Sequence, residues 1–289
     1  MLRTEALDYP KSVLIETCTH CNGQCGFCPH TFYRKGKPVQ YLEKERFITL
    51  ITELAQFDVN RITLFCNNEP LIDQRMPEFV ALTRKAIPNA EITLSTNGIL
   101  LSESIASKLY ESGLDVLYVS IPTLDPVEYK KLMKYSLKRV LESLEMIART
   151  SAKSIIHIAV PETYAFNRQA FVDYFGARGI EMSSWPIEYR YSWNIFDYVS
   201  MSADPARPPS KPCDRPLDQA CILANGDMVL CCRDWDSDCC VGNIYDSSIY
   251  DLWHSKKMLN LQQLIIQGEY NRIGICKDCS ENPHSMLRA

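Results

Sequence analysis

The chain predicts an α/β architecture: a partial (β/α)6 TIM-like barrel over residues 1–187, then a small Cys-rich α+β module over residues 188–289. Three observations carry this. Short apolar, β-branched runs alternate six times with stretches of helical periodicity, the pattern of parallel βαβ units. The alternation stops near Glu188, where aromatic and then proline-rich segments take over. Beyond them an Asn-Gly hairpin cue stands between apolar runs, with cysteines on both sides.

Residues 1–12 lead into a first strand over 13–17, and a Cys-rich loop follows. Arg34-Lys-Gly-Lys-Pro38 is Gly/Pro-marked and reads as loop. Over 42–57, Phe47, Leu50, Ile51 and Leu54 fall on one helical face. A strand over 61–65 and a helix over 77–86 make the second unit, and a strand over 91–95 and a helix over 102–111 the third. Ser102 is suited to cap that helix and Gly113 to stop it. A strand over 116–121 precedes a long helical stretch over 126–150, with a break expected near Tyr135. A strand over 154–160, a helix over 168–175 and a strand over 180–186 complete the six. After Cys213, two apolar arms flank Asn225-Gly226-Asp227 as a hairpin, and 249–264 reads as a helix.

At 289 residues the chain fits one large or two modest domains. A net charge of −4 gives no basic footprint, so nucleic acid is not an expected partner. No apolar run reaches the length of a membrane span, so no membrane is expected either. The first ten residues are charged and lack the apolar region of a secretory signal. Thirteen cysteines in such a chain point to a reducing, cytoplasmic setting and to metal or redox work.

Cys21, Cys25 and Cys28 stand at C-x3-C-x2-C spacing directly after the first strand. Three thiolates on one short loop can hold three irons of a cubane and leave the fourth without a protein ligand. An open metal position is a place for chemistry. Zinc is the alternative, although three cysteines without a nearby fourth ligand suit it less well. In a barrel of this kind sites lie at the C-terminal ends of the strands, where this loop begins. The spacing, with Phe27 before the last cysteine, resembles the radical S-adenosylmethionine (radical SAM) superfamily. The resemblance implies a 4Fe–4S cluster at Cys21, Cys25 and Cys28, with S-adenosylmethionine chelating the free iron. It also implies reductive cleavage to a 5′-deoxyadenosyl radical, fed by an external electron donor such as flavodoxin or ferredoxin.

Further positions match that family's cofactor loops. Asn67, Asn68 and Glu69 follow the second strand, and the resemblance assigns the methionine amino group to this loop, with the Glu69 carboxylate as a sensible acceptor. The family often has Gly-Gly where Asn67-Asn68 stands. Ser95, Thr96 and Asn97 follow the third strand and would meet the ribose and the methionine carboxylate. Phe27 would lie against the adenine, and Ser120, ending the fourth strand, is a further candidate. Without the family these are polar strand-end loops, and Asn-Gly is as often only a turn.

Cys213, Cys231, Cys276 and Cys279 form a second set, in the order C-x12-G-x4-C, a gap, then C-x2-C. This resembles the SPASM/twitch module of radical SAM enzymes and implies one auxiliary 4Fe–4S cluster with four protein ligands; a zinc ribbon is the alternative. Of the other six cysteines most read as small core residues. Cys239 and Cys240 sit in a loop beside Asp236-Ser-Asp238 and are candidate hydrogen-atom donors. His157 on the fifth strand, Tyr189, Arg190, Tyr191 and Trp193, and Asp234 and Asp236 are candidate substrate contacts, while His254 reads as packing. The cysteine layout is most similar to that of the aminocyclitol dehydrogenases. That implies a small polar substrate (a sugar, aminocyclitol or nucleoside-like molecule) oxidised by two electrons with the auxiliary cluster as acceptor. A radical epimerase, a peptide- or protein-modifying maturase, and a zinc-holding interaction module are the alternatives.

Overall fold

A computed structural model describes residues 5–34, 36–186, 213–277 and 279. The strands are β1 (Ser12–Ile15), β2 (Arg61–Thr63), β3 (Glu91–Thr96), β4 (Val116–Ser120), β5 (Ile156–Glu162) and β6 (Glu181–Pro186). Each pairs in parallel with the next, from β1 to β6. The helices between them are α1 (His30–Arg34), α2 (Lys44–Leu54), α3 (Met76–Ala86), α4 (Glu103–Glu111), α5 (Pro126–Met133), α6 (Leu137–Ile147) and α7 (Arg168–Gly176). This is the expected partial barrel.

Burial follows the pleat. Ile92, Leu94, Leu117, Val119, Ile158 and Val160 are buried under the helices. Residues alternating with them, such as Ser95, Tyr118 and His157, lie half-exposed on the opposite, concave face. Between α2 and α3, Phe47 stacks on Phe79 with centroids 4.2 Å apart, both fully buried. Burying such a ring contributes on the order of 1.5–3 kcal/mol.

The predicted helix over 126–150 is two helices. Lys134 takes a left-handed conformation (φ 67°) and ends α5, so the break falls one residue before Tyr135. The predicted strand over 154–160 begins later, because residues 151–155 form a 3-10 turn. Ser102 caps α4 through Ile105 N–H, and Gly113, at φ 90°, follows its end.

The C-terminal strands β7 (Gln219–Ile222), β8 (Asp227–Val229) and β9 (Cys240–Asn243) make the expected hairpin and one further antiparallel strand. They do not form a sheet of their own. β7 pairs in parallel with β1, giving one nine-stranded sheet in the order β6-β5-β4-β3-β2-β1-β7-β8-β9 among the described residues. The boundary drawn near residue 187 therefore has a continuous sheet on both sides. The predicted helix over 249–264 divides into α8 (Ile249–Trp253) and α9 (Lys256–Ile266), because Ser255 caps the second through Met258 N–H. A short α10 (Gly274–Lys277) carries Cys276. The aromatic run at Tyr189–Trp193 and the proline-rich connector lie outside the described residues.

Candidate cluster sites

The loop holding Cys21, Cys25 and Cys28 leaves the C-terminal end of β1, which places it at the end where barrel sites form. Its backbone is pinned from two sides. Glu69 N–H donates to His20 C=O at 2.9 Å, and Gly26 N–H donates to Leu132 C=O on α5 at 2.8 Å. Within the loop, Gly23 N–H donates to Cys21 Sγ at 3.3 Å. A Cβ at Gly23 would lie 3.5 Å from Cys21 Sγ and 3.6 Å from Cys25 Sγ, ordinary contact distances, so this backbone runs close to both thiols without requiring glycine. Burial pushes the Cys21 thiol up to about 12, with the Glu69 charge adding to it. Cys25 and Cys28 are raised as well, again chiefly by burial. As free thiols the three are protonated at neutral pH, and iron binding must displace those protons.

The turns after β2 and β3 are tied together through Glu69. Its carboxylate, 1 % exposed, accepts from Leu71 N–H (3.0 Å), Thr96 Oγ1 (2.7 Å) and Asn97 N–H (2.7 Å). Burial still pushes its pKa up to about 7 against those three bonds. Glu69 thus holds Thr96 and Asn97 in place in addition to any contact with a methionine ammonium. Asn97 Nδ2 reaches Asn22 Oδ1 at 2.8 Å and Cys21 Sγ at 3.8 Å, joining the third strand's turn to the cysteine loop. Asn68 is turned inward, accepting from Cys66 N–H and donating to Cys18 Sγ at 3.6 Å. Asn67 Nδ2 is buried with no hydrogen-bond partner in the structure, a donor of the kind an acceptor-rich ligand satisfies. Phe27 packs on the core edge beside Cys28, and Ser95 and Ser120 lie on the concave face. Three thiols on one short loop, an orphaned amide donor and polar strand ends fit a three-ligand cluster with a bound amino acid cofactor.

The second set also comes together. Cys213, Cys231, Cys276 and Cys279 interact electrostatically with one another. Burial pushes Cys213 up to about 12 and raises Cys276, while Cys231 is raised first by its hydrogen bond with Cys232 and then by burial. Tyr270 OH donates to Cys213 C=O at 3.1 Å, and Cys279 N–H to Cys276 C=O at 3.2 Å. Among the described residues no three His, Cys, Asp or Glu side chains close on a single-ion position. A cubane needs no such point, since each iron takes its own thiolate.

Other candidates are placed less centrally. Cys239, 7 % exposed, packs in the main core near Cys276 and away from the concave face. Cys240 is half-buried on the same face as Leu14, Cys221 and Val229. The Asp234 carboxylate takes Asp238 and Cys239 N–H groups of its own loop, while Asp236 is exposed. His254 bonds Tyr250 C=O, as packing predicts.

Sequence reasoning missed the residues that connect the two sites. Glu16, fully buried, pairs with Arg34 at 3.2 Å and accepts from Ala224 N–H in the β7–β8 turn. Trp235, four residues after Cys231, stacks on Tyr33 of α1 with centroids 5.8 Å apart. Within the first site, Tyr135 OH donates to Asn97 C=O at 2.7 Å, a contact also missed. A charge directly after the apolar run Val13-Leu14-Ile15 was the signal available for Glu16.

Comparison with known proteins decides the family. Residues 15–166, more than half of the chain, match the Radical SAM superfamily. The chain belongs to the radical SAM superfamily. Residues 213–280 match the SPASM iron–sulfur cluster-binding domain, so this radical SAM enzyme carries a SPASM domain, and its cofactors are 4Fe–4S clusters and S-adenosylmethionine. It is 22 % identical over 267 residues to the S-adenosyl-L-methionine-dependent 2-deoxy-scyllo-inosamine dehydrogenase of Niallia circulans, covering 92 % of this chain and 91 % of that protein. It is 33 % identical to a probable GTP 3′,8-cyclase of Methanococcus maripaludis, over 42 % of this chain and 40 % of that protein. In fold it is similar to BtrN in complex with AdoMet and 2-DOIA (TM-score 0.69, 18 % identity, 96 % and 97 % of the two chains). It is also similar in fold to Streptococcus suis SuiB bound to S-adenosylmethionine (TM-score 0.72, 15 % identity, 90 % and 69 %). Among the described residues no helix is long and apolar enough to cross a membrane.

Proposed function

We propose that this radical SAM enzyme is a dehydrogenase of a small hydroxylated molecule of the aminocyclitol or sugar class. The observation that carries the reading is the similarity to 2-deoxy-scyllo-inosamine dehydrogenase over nine-tenths of both chains. The concave face supports it. Thr63 Oγ1 and Thr93 Oγ1 are 2.9 Å apart there, as are His157 Nε2 and Ser183 Oγ, and Tyr118 meets the His157 ring edge-on at 5.2 Å. Hydroxyls and an imidazole suit a substrate rich in hydroxyl and amino groups. Partial burial lowers the His157 pKa, against the Glu181 charge, so the ring is neutral at pH 7 and able to take a proton.

When bound, the two clusters and S-adenosylmethionine supply a 5′-deoxyadenosyl radical that takes a hydrogen atom, and an acceptor for the electron that follows. The chain's own part is to bind hydroxyl groups through the threonines, Ser183 and Tyr118, and to take at His157 Nε2 or Nδ1 the proton released as a carbinol becomes a carbonyl. A flavodoxin or ferredoxin is the proposed electron donor. Anaerobic turnover of aminocyclitols in deuterated water tests the reading. A product two hydrogens lighter than the substrate is expected; an isomer of unchanged mass apart from one solvent deuterium would refute it.

That second outcome belongs to the epimerase reading, which one observation favours. The strand register sets Cys240, Val229, Cys221, Leu14, Thr63 and Thr93 in one row across the sheet face that carries the polar lining. Cys66 packs against Cys221 and its neighbours beside that row. A donor thiol for an epimerase would come from this group, which includes Cys240 and leaves out Cys239.

A further inference from the structure

The second cysteine set has a charged donor to sulfur, where the first has neutral ones. At the second set, Arg233 is 9 % exposed, and its Nη1 donates to Cys279 Sγ at 2.9 Å. Arg233 follows Cys231 by two residues, on a loop shaped by Asp234. The Asp234 carboxylate accepts Asp238 N–H at 3.0 Å and Cys239 N–H at 2.9 Å, and its own N–H donates to Cys231 C=O at 3.0 Å. A second guanidinium, Arg215, acts on Cys213 and Cys231 in the direction that favours thiolate, while Asp214 stands beside Cys213 in the chain. At the first set the donors reaching a sulfur are neutral, Gly23 N–H and Asn97 Nδ2, and the charge felt by Cys21 and Cys25 is the Glu69 carboxylate.

Reduction adds negative charge to a thiolate-ligated cubane. Hydrogen bonds to the ligand sulfurs and nearby charge are among the factors that set its potential. A charge-assisted N–H···S bond from a buried guanidinium stabilises the more negative, reduced state, more than a neutral donor does. We infer that Arg233 tunes the auxiliary cluster, holding its reduction potential above the value it would have without the guanidinium. This rests on the reading that Cys213, Cys231, Cys276 and Cys279 hold a 4Fe–4S cluster. It makes the site proposed to accept the electron left on a substrate a better acceptor than its four thiolates alone would be.

The test is a redox titration of the full chain with both clusters loaded anaerobically, using dithionite as reductant. Electron paramagnetic resonance follows the reduced clusters, and added S-adenosylmethionine marks the first site by changing its signal alone. Wild type is compared with Arg233→Lys, Arg233→Gln and Arg233→Met. In the Gln and Met variants the auxiliary cluster should show at least a tenfold lower ratio of reduced to oxidised form at a fixed potential, about 59 mV downward for a one-electron couple. The first cluster should not move, and Lys should restore most of the difference. An unshifted auxiliary potential in the Gln variant, or two clusters shifting together, would overturn the inference. About four irons per wild-type chain, where two cubanes require about eight, would instead overturn the reading beneath it. If the Met variant loses its auxiliary iron, the Gln variant decides.

Discussion

Arg34→Met isolates the ion pair that fastens the cysteine loop to the C-terminal hairpin. The Glu16 side chain is fully buried and that of Arg34 is 17 % exposed. Arg34 Nη2 lies 3.2 and 3.3 Å from the two carboxylate oxygens, and Ala224 N–H donates to the same carboxylate at 3.2 Å. Removing one partner of a buried pair typically costs 3–5 kcal/mol, because the remaining charge is left uncompensated. Here a single nitrogen bridges both oxygens, and the backbone donors at Asn67 and Ala224 remain. The expected loss is therefore at the lower end, about 3 kcal/mol. It depends on pH. Burial already raises the Glu16 pKa above 4.5, with Arg34 the largest opposing influence. Without Arg34 the carboxyl rises further, and the folded state retains a proton that the unfolded chain releases. The variant should thus lose least near pH 4.5 and progressively more as pH rises toward the raised folded value. Urea unfolding midpoints at pH 5 and pH 8 measure this, and the double variant Glu16→Gln/Arg34→Met should recover most of the loss. An equal loss at both pH values, or no recovery in the double variant, would refute the reasoning.

Three further outcomes are expected. Cys25→Ala should lose about four of about eight irons and all reductive cleavage of S-adenosylmethionine, with the auxiliary cluster's spectrum intact; surviving cleavage would mean the site is misassigned. Gly98→Ala places a Cβ 2.9 Å from Val140 Cγ1 on a residue at φ 79°. It should destabilise by more than about 1 kcal/mol, seen as a lower thermal midpoint, and an unchanged midpoint would count against the turn described here. Glu69→Gln turns an NH2 toward a backbone N–H and should cost about 1–3 kcal/mol. Because burial raises the Glu69 carboxyl to about 7, wild-type stability falls as pH rises from 4.5 through 7. The gap between wild type and variant should shrink over that window, and urea midpoints that diverge there would contradict the assignment.

The barrel was legible because each βα unit is written locally. The Phe47/Leu50/Ile51/Leu54 face, the Ser102 cap and the Asn-Gly hairpin each act within a few residues, and each appears where the sequence puts it. The two cysteine sets were legible because their spacing is itself the chemistry. What stayed hidden depends on separation in the chain. The contact of Glu16 with Ala224 spans 208 residues and that of Arg233 with Cys279 spans 46, and no periodicity announces either. The role of Glu69 was half legible: its charge and place are in the sequence, but its three internal donors are set by how the loops after β2 and β3 meet.

The place of β1 in the sheet bears on how the chain can be made. It comes before the other eight strands described, yet it lies inside the sheet, between β2 and β7, and its Ser12 is paired with Gln219. While the residues between β1 and β7 emerge, one edge of β1 has no partner, and the loop with Cys21, Cys25 and Cys28 hangs from the end of that open strand. An unpaired edge of this kind is a template for wrong pairing. A contact so distant in sequence also forms late and slowly. A piece ending at residue 186 should accordingly associate through that edge, and iron–sulfur loading in a growing chain would meet a loop whose anchor at Ala224 has yet to be synthesised.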